Sequence, residues 1–297
     1  MAEQGMKTVL VTGASSGLGI AVAVMAAKAG HRVVATMRHL QKQAALDAAA
    51  AAAGVNLTVM ALDVQDTASV EACVSAVITD FGAIDVLVAN AGMGFVRTTE
   101  QATEADIAGV MDVNFMGVVR CVKAVLPHMR AARSGHVIAI SSVGGLVGQP
   151  FNEVYCASKF AVEGYIESLA SYAGPAFGIG FTLIEPGGIL SQFAKTALEH
   201  YTATGGMIED DYLPLIQKYL AGQADRVAQA TAAGAAIYQT ADQVAAVILG
   251  CIGAQPVPVR VRTSGWATAF CGLKTGLDPD GTKLQAQVIQ QMLGGLA

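Results

Sequence analysis

Tyr155 and Lys159, four residues apart, are the side chains in this sequence best placed to move a proton. On a helix they share one face about one turn apart. An ammonium there favours phenolate over phenol and draws the tyrosine down from its ordinary value of about 10. That would make Tyr155 usable as an acid or a base near neutrality. Thirteen residues upstream, Ser142 follows the apolar run His136–Ser141 and can hold a substrate oxygen by a hydrogen bond. A tyrosine–lysine pair alone is common on amphipathic helices. Its meaning comes from following a strand-end serine, downstream of a glycine-rich turn.

That turn is Thr12-Gly13-Ala14-Ser15-Ser16-Gly17-Leu18-Gly19, directly after the apolar run Thr8–Thr12. Glycines between a strand and a helix let the backbone approach a pyrophosphate, whose charge then sits at the positive helix N-terminus. A purely structural turn is the other reading. The spacing GxxxGxG, with no Lys-Ser/Thr after it, excludes an ATP-type phosphate loop. The second apolar run ends in Ala35-Thr36-Met37-Arg38, where dinucleotide sites keep an acid for a ribose 2′-hydroxyl or an arginine for a 2′-phosphate. With no acid there, Arg38 favours NADP(H), clamping a phosphate through two bonds, over a merely solvated arginine. Asp63, before Val64, can accept from an adenine amino group or serve as a helix N-terminal acid. Asn90-Ala91-Gly92 can shape the floor of the same site.

These groups need elements that bring them to one edge. Compact β-rich runs fall at Thr8–Thr12, Arg32–Thr36, Leu57–Leu62, Asp85–Asn90, His136–Ser141, Gly180–Pro186 and Val257–Arg262. Helical patterns separate them: one from the glycine turn to Gly30, the Ala-rich Leu40–Ala53, Thr67–Phe81, a long one near Thr103–Arg130, Glu153–Gly174 and Ala241–Gly253. Continuous apolar strands alternating with helices predict an α/β fold: a doubly wound, Rossmann-type parallel sheet of about seven strands, helices on both faces. Ligands bind such sheets at the carboxyl ends of the strands, beside the switch point. No linker interrupts the chain, so residues 1–297 are expected to form one domain. Between 187 and 240 the rhythm breaks into what reads as loop and short helices, and 263–297 reads as a tail packed on the outside.

Composition narrows the function classes. Of 297 residues, 53% are hydrophobic and only 14% charged, which excludes a disordered chain. A net charge of −5 argues against a nucleic-acid partner. The apolar stretch near Val244–Ala254 falls short of the ~20 residues that span a bilayer. Five cysteines without a CxxC pair read as reduced thiols in a cytoplasmic protein. Five histidines show no ligand spacing, so no metal site is expected.

In sum, Thr12-Gly13-x-x-x-Gly17-x-Gly19, Asp63, Asn90-Ala91-Gly92, Asn114, Ser142, Tyr155-x-x-x-Lys159 and Pro186-Gly187 make the chain resemble the short-chain dehydrogenase/reductase family in its single-domain form. The likeness covers roughly residues 6 to 193. The stretch Ser141–Ala170 is similar to the 17β-hydroxysteroid and retinol dehydrogenase branch. The resemblance implies catalytic roles for Asn114, Ser142, Tyr155 and Lys159. Tyr155 would exchange a proton with the substrate oxygen, Ser142 would orient it, and Lys159 would also bind the nicotinamide ribose. Asn114 would hold a water linking Lys159 to solvent; read from the residues alone, it can equally be a helix-kink residue. Cofactor contacts are implied for Gly13, Ser15, Ser16, Gly17, Leu18, Gly19, Arg38, Asp63, Val64, Asn90, Ala91, Gly92, Tyr155, Lys159, Pro186, Gly187, Ile189 and Ser191. Ser191 stands where the family often has threonine.

Met93, Phe95, Val143, Leu146, Val147, Phe151, Ile189 and Phe193 are the candidate pocket residues, unless they pack the core. Their apolar character suits a bulky alcohol or ketone, whether a steroid, a retinoid or an aryl ketone. The expected protein is an NADP(H)-preferring oxidoreductase, with NAD(H) as second cofactor, forming a homodimer or homotetramer. A cofactor-binding sensor or scaffold without turnover is the alternative, and an epimerase or dehydratase of the family's extended branch a weaker one.

Overall fold

The computed structural model describes residues 5–203, 205–232 and 236–293. Each of the seven apolar runs contains a strand. They are β1 (Thr8–Val11), β2 (Arg32–Met37), β3 (Thr58–Ala61), β4 (Val86–Ala89), β5 (Gly135–Ile140) and β6 (Ile179–Glu185); after two short strands, β7 (Gly188–Leu190) and β8 (Tyr238–Thr240), comes β9 (Arg260–Arg262). All pairings in the main sheet are parallel, in the order β3-β2-β1-β4-β5-β6-β9. The direction of winding reverses between β1 and β4, where Val11 lies beside Val88. The crevice at that switch point is where such a sheet binds a ligand.

Eleven helices flank the strands among the described residues: α1 (Gly17–Lys28), α2 (Ala44–Ala53), α3 (Thr67–Phe81), α4 (Glu104–Met111), α5 (Gly117–Ala132), α6 (Glu153–Phe177), α7 (Gln192–Ala203), α8 (Leu213–Ala232), α9 (Ala241–Cys251), α10 (Gly265–Thr275) and α11 (Thr282–Leu293). Successive strand residues alternate between the two faces. Val9 and Val11 pack with Val22 of α1 and Val244 and Ile248 of α9. Leu10 packs on the other side with α3, α5 and α6, through Val74, Val125 and Ile166. Burying both faces explains why these strands are continuously apolar. Each such side chain contributes roughly 1.5–3 kcal/mol.

Three departures from the sequence reading bear on the site. The helix expected near Thr103–Arg130 is interrupted by a π turn, Asp112–Met116, between α4 and α5. The segment 187–240 holds more order than loop and short helices: β7 pairs with β8 in a second sheet, and α8 runs for 20 residues. Ala, Gln and Leu, all good helix formers, dominate α8, although only Ile216 among its described side chains is buried. The tail does pack on the body, but α10 buries Ala267 and Cys271 completely and brings Trp266 against Val143, Leu146 and Gly187. The extremes of the expected domain, 1–4 and 294–297, lie outside the described residues. No described helix is long and apolar enough to cross a membrane.

Candidate active site

The glycine turn is held from below by Asn90. Its Nδ2 donates to the carbonyls of Thr12 (2.8 Å) and Gly13 (3.1 Å). The Thr12 hydroxyl in turn accepts from the backbone N–H groups of Asn90 and Ala91, both at 3.0 Å. Gly13 has φ +71°, and a Cβ there would stand 2.8 Å from Ala91 Cα. Gly19 has no space either: its Cβ would strike the Gly13 carbonyl and lie 2.8 Å from Ala14 Cα. Asn90 and Ala91 thus brace the turn. Ser16, the N-cap of α1, makes no side-chain cap bond, and the first turn of α1 carries no acid. The positive helix end therefore faces the crevice uncompensated, which suits an anion. Ser15 is half-buried, Leu18 buried, and Gly17 lies opposite Ser191, whose Cβ a Gly17 side chain would meet at 3.0 Å.

The adenosine side is less tightly built. Arg38, exposed at the end of β2, donates to His39 Nε2 at 3.1 Å and to Gln65 Oε1 at 3.4 Å. Asp63 turns one carboxylate oxygen back to accept from Gln65 N at 3.0 Å; the α3 cap is Asp66. Val64 is buried, and its carbonyl accepts from Arg120 at 3.0 Å. On the far side, Pro186 offers its carbonyl to Val143 N at 3.0 Å, Gly187 lies against the Trp266 ring, and Ile189 sits in β7, packed on the core. Ser191 accepts from Phe193 N at 3.3 Å, a local bond at the start of α7.

At the mouth of β4 and β5 the reacting groups converge. The Ser142 hydroxyl accepts from Gly144 N at 3.0 Å and hydrogen-bonds with Tyr155. Lys159 Nζ donates to the Ile140 carbonyl at 2.9 Å and lies 5.9 Å from the Tyr155 ring centre. Asn114, fully buried in the π turn, clamps Met93 at both ends: Oδ1 accepts from Met93 N at 2.7 Å, and Nδ2 donates to Met93 O at 2.9 Å. Nδ2 also reaches Ser158 Oγ at 3.1 Å. A Cβ on Gly92 would fall 3.3 Å from Asn114 Oδ1 and 3.7 Å from Lys159 Nζ. Gly92 thus borders both side chains. π turns concentrate at functional sites, and this one both interrupts the helix and turns Asn114 inward.

The electrostatics differ from the sequence expectation. Burial pushes the Tyr155 phenol up to about 12, opposed by the bond with Ser142 and reinforced by Cys156. Lys159 is not among the groups that move it, because the buried lysine loses its charge at lower pH than the phenol ionises. Burial pushes Lys159 itself down to about 8, against the pull of Glu163.

The apolar side divides. Phe95 is buried in a small core with Val110 and Val154, with Met93 packed against it, so it lines no open pocket. Val143, Leu146 and Val147 form a wall with Trp266. Phe193, exposed, places its ring 6.0 Å from that of Tyr155, and Phe151 meets Tyr219 of α8 at 5.3 Å. Arg97, which belongs to no motif in the sequence, is buried. Its guanidinium donates to the carbonyls of Gly206 (2.7 Å) and Tyr201 (2.8 Å) and stacks on the Tyr201 ring, tying the segment after α7 to the site's rim. Trp266 was also missed, although the only tryptophan of the chain was a visible signal.

Comparison with known proteins places this geometry. A family model described as short chain dehydrogenase matches residues 7–202. Retinol dehydrogenase 8 of Bos taurus is 40% identical over 289 residues, covering 93% of this chain and 87% of that protein. The 17-beta-hydroxysteroid dehydrogenase type 1 of Mus musculus is 35% identical over 297 residues, covering 97% and 82%. Among solved structures, a short chain dehydrogenase/reductase from Burkholderia phymatum in complex with NAD superposes with a TM-score of 0.76 at 25% identity, covering 96% of this chain and 97% of that one. A polyketide ketoreductase with NADPH gives 0.73 at 28% identity, covering 90% and 99%.

Proposed function

The chain belongs to the short-chain dehydrogenase family, and from that premise we propose that it interconverts a bulky hydrophobic secondary alcohol and its ketone, with NADP(H) preferred over NAD(H). It is an oxidoreductase related to the retinol and hydroxysteroid dehydrogenases. The observation that carries the proposal is the meeting of Ser142, Tyr155, Lys159 and Asn114 beside a glycine turn too crowded to admit a Cβ.

That turn fits a dinucleotide. Gly13, Gly17 and Gly19 leave backbone and helix N-terminus open to a pyrophosphate, with Ser15, Ser16 and Leu18 around it. Arg38 stands for a 2′-phosphate, Asp63 and Val64 for the adenine end, and Pro186, Gly187, Ile189 and Ser191 for the nicotinamide end. When bound, the nicotinamide supplies the hydride chemistry. Tyr155 gives its proton to the carbonyl oxygen in reduction and takes it back in oxidation. Ser142, already bonded with Tyr155, orients the same oxygen. Lys159, with its charge, stabilises the phenolate left after proton transfer, and Asn114 keeps the floor beneath it fixed. The apolar wall of Val143, Leu146, Val147 and Trp266, with Phe193 opposite, suits a steroid, retinoid or aryl ketone.

Two measurements follow. Arg38→Ala should raise the KM for NADPH about 10- to 100-fold, the loss of a charge-assisted contact worth ~1.5–3 kcal/mol. NADH should be almost unaffected; equal effects on both dinucleotides would remove Arg38 as the phosphate reader. The pH profile has a definite sign. Tyr155 keeps its proton far above neutrality, so kcat/KM for reduction should stay level through neutral pH. It should fall near the lysine value of about 8 as Lys159 loses its charge. A limb that persists unchanged in Lys159→Met would assign it to another group.

A further inference from the structure

Behind the proposed reacting groups lies a largely buried ionic cluster that the mechanism above does not use. Glu163 follows Lys159 by one helical turn on α6 and is 5% exposed; Glu185, at the end of β6, is 0% exposed. Arg262 of β9 donates to Glu185 Oε2 at 2.9 Å, and its other nitrogen meets the Pro279 carbonyl. Arg260, also of β9, lies 3.8 Å from both Glu163 and Glu185 and pairs with Glu167. Ser141, the residue before Ser142, faces Glu163 from the end of β5, and Cys271 of α10 lies within the field of Glu163, Glu185 and Arg262. Three carboxyls thus share two guanidiniums. Both oxygens of Glu163 and Oε1 of Glu185 are buried without a well-formed hydrogen bond.

We propose that Glu163 is a positioning residue for the reaction, its carboxyl acting through Lys159 and through the turn that carries Ser142. One observation of packing and one of electrostatics support this. Gly145 has no Cβ because one would stand 2.6 Å from Ser141 Oγ and 3.1 Å from Glu163 Oε1, so Ser141, Gly145 and Glu163 are packed as one unit. That unit is one residue from the serine that orients the substrate oxygen. Glu163 is also the carboxylate whose charge opposes the loss of the Lys159 proton. A lysine this deeply buried sheds its charge easily. An anion one turn away, itself braced by Arg260, keeps it an ammonium at working pH.

Burial pushes both Glu163 and Glu185 upward, and the Glu163 carboxyl raises Glu185 further, so the pair holds a proton to higher pH than ordinary carboxylates do. The influence of Glu163 on Lys159 therefore appears only once Glu163 ionises. Below that point Lys159 is protonated in any case, and above it the carboxylate extends the range of the ammonium.

The inference rests on the proposed chemistry for its purpose, yet its test does not. The full-length protein is labelled with 13Cε-lysine, and the Lys159 resonance is assigned by its absence in Lys159→Met. In Glu163→Gln, an isostere of the protonated acid, the midpoint of that resonance should fall by about 1 pH unit, the lower end of what an opposite charge within ~4–6 Å exerts. In the wild type the same resonance should show a first inflection, above the ordinary carboxylate range, as Glu163 ionises. This second reading needs no glutamate variant to fold. A Lys159 midpoint unmoved in Glu163→Gln, or a single-step wild-type titration, would overturn the inference. If both shifts occur and NADPH turnover of a 17-ketosteroid, an aryl ketone and retinal is nil in the wild type, the positioning role stands and the proposed reaction falls. With turnover present, the alkaline limb of kcat/KM in Glu163→Gln should move down with the lysine.

Discussion

Tyr155→Phe should lower turnover by about 100- to 10,000-fold, the range a positioned general acid supplies, while NADPH binds as tightly as before. The ring is half-buried and edge-on to Phe193, and phenylalanine preserves both contacts. Only the proton and the bond with Ser142 are lost. Stopped-flow turnover, paired with a cofactor titration by nicotinamide fluorescence, separates the two quantities. Retained turnover would remove Tyr155 as the proton donor. A parallel loss of cofactor affinity would show that the hydroxyl holds the dinucleotide rather than the substrate. Ser142 gives an internal control, since Ser142→Ala removes the orienting hydroxyl but leaves the donor and should cost less.

The second large effect is expected at Gly19. A Cβ there collides with the Gly13 carbonyl, with Ala14 Cα at 2.8 Å and with Asn90 Nδ2 at 2.9 Å. Two of these are backbone atoms, which cannot step aside as a flexible side-chain end would. Gly19→Ala should therefore spread the turn and break the bonds by which Asn90 holds Thr12 and Gly13. Dinucleotide affinity should fall by more than about tenfold, and overpacking should cost ~1–3 kcal/mol of stability. Gly30→Ala is the comparison: φ +87° strains an alanine, yet nothing lies within 4 Å. It should cost stability and leave cofactor affinity alone. Calorimetry of both variants with NADPH distinguishes a cradle from a mere turn.

The parts of this molecule visible in its sequence are those in which neighbours along the chain fix the outcome. A run such as Val9-Leu10-Val11 can only be a strand buried on both faces, and the glycine turn after it must lead into a helix. Tyr155 and Lys159 were legible because four residues on a helix determine their spacing. What escaped depends on distance. The π turn at Asp112–Met116 is dictated by Asn114 reaching Met93, a contact that no window around residue 114 contains. Arg97 reads as one cation in an apolar loop until Tyr201 and Gly206 fold over it. Likewise, Glu163 and Glu185 are 22 positions apart in the sequence and meet only because α6 returns along β6, with Arg260 and Arg262 arriving from β9. The upward shift of the Tyr155 phenol is of the same kind: helical spacing sets its proximity to Lys159, but burial by distant parts of the chain governs the hydroxyl.

The most direct test of the central claim is nicotinamide absorbance during incubation of the purified chain with NADPH, or NADH, and a panel of steroid, retinoid and aryl ketones. The account predicts NADPH consumption with at least one bulky ketone, slower consumption with NADH, and none in Tyr155→Phe. Absence of binding to either dinucleotide, or turnover that survives loss of the tyrosine hydroxyl, would contradict it.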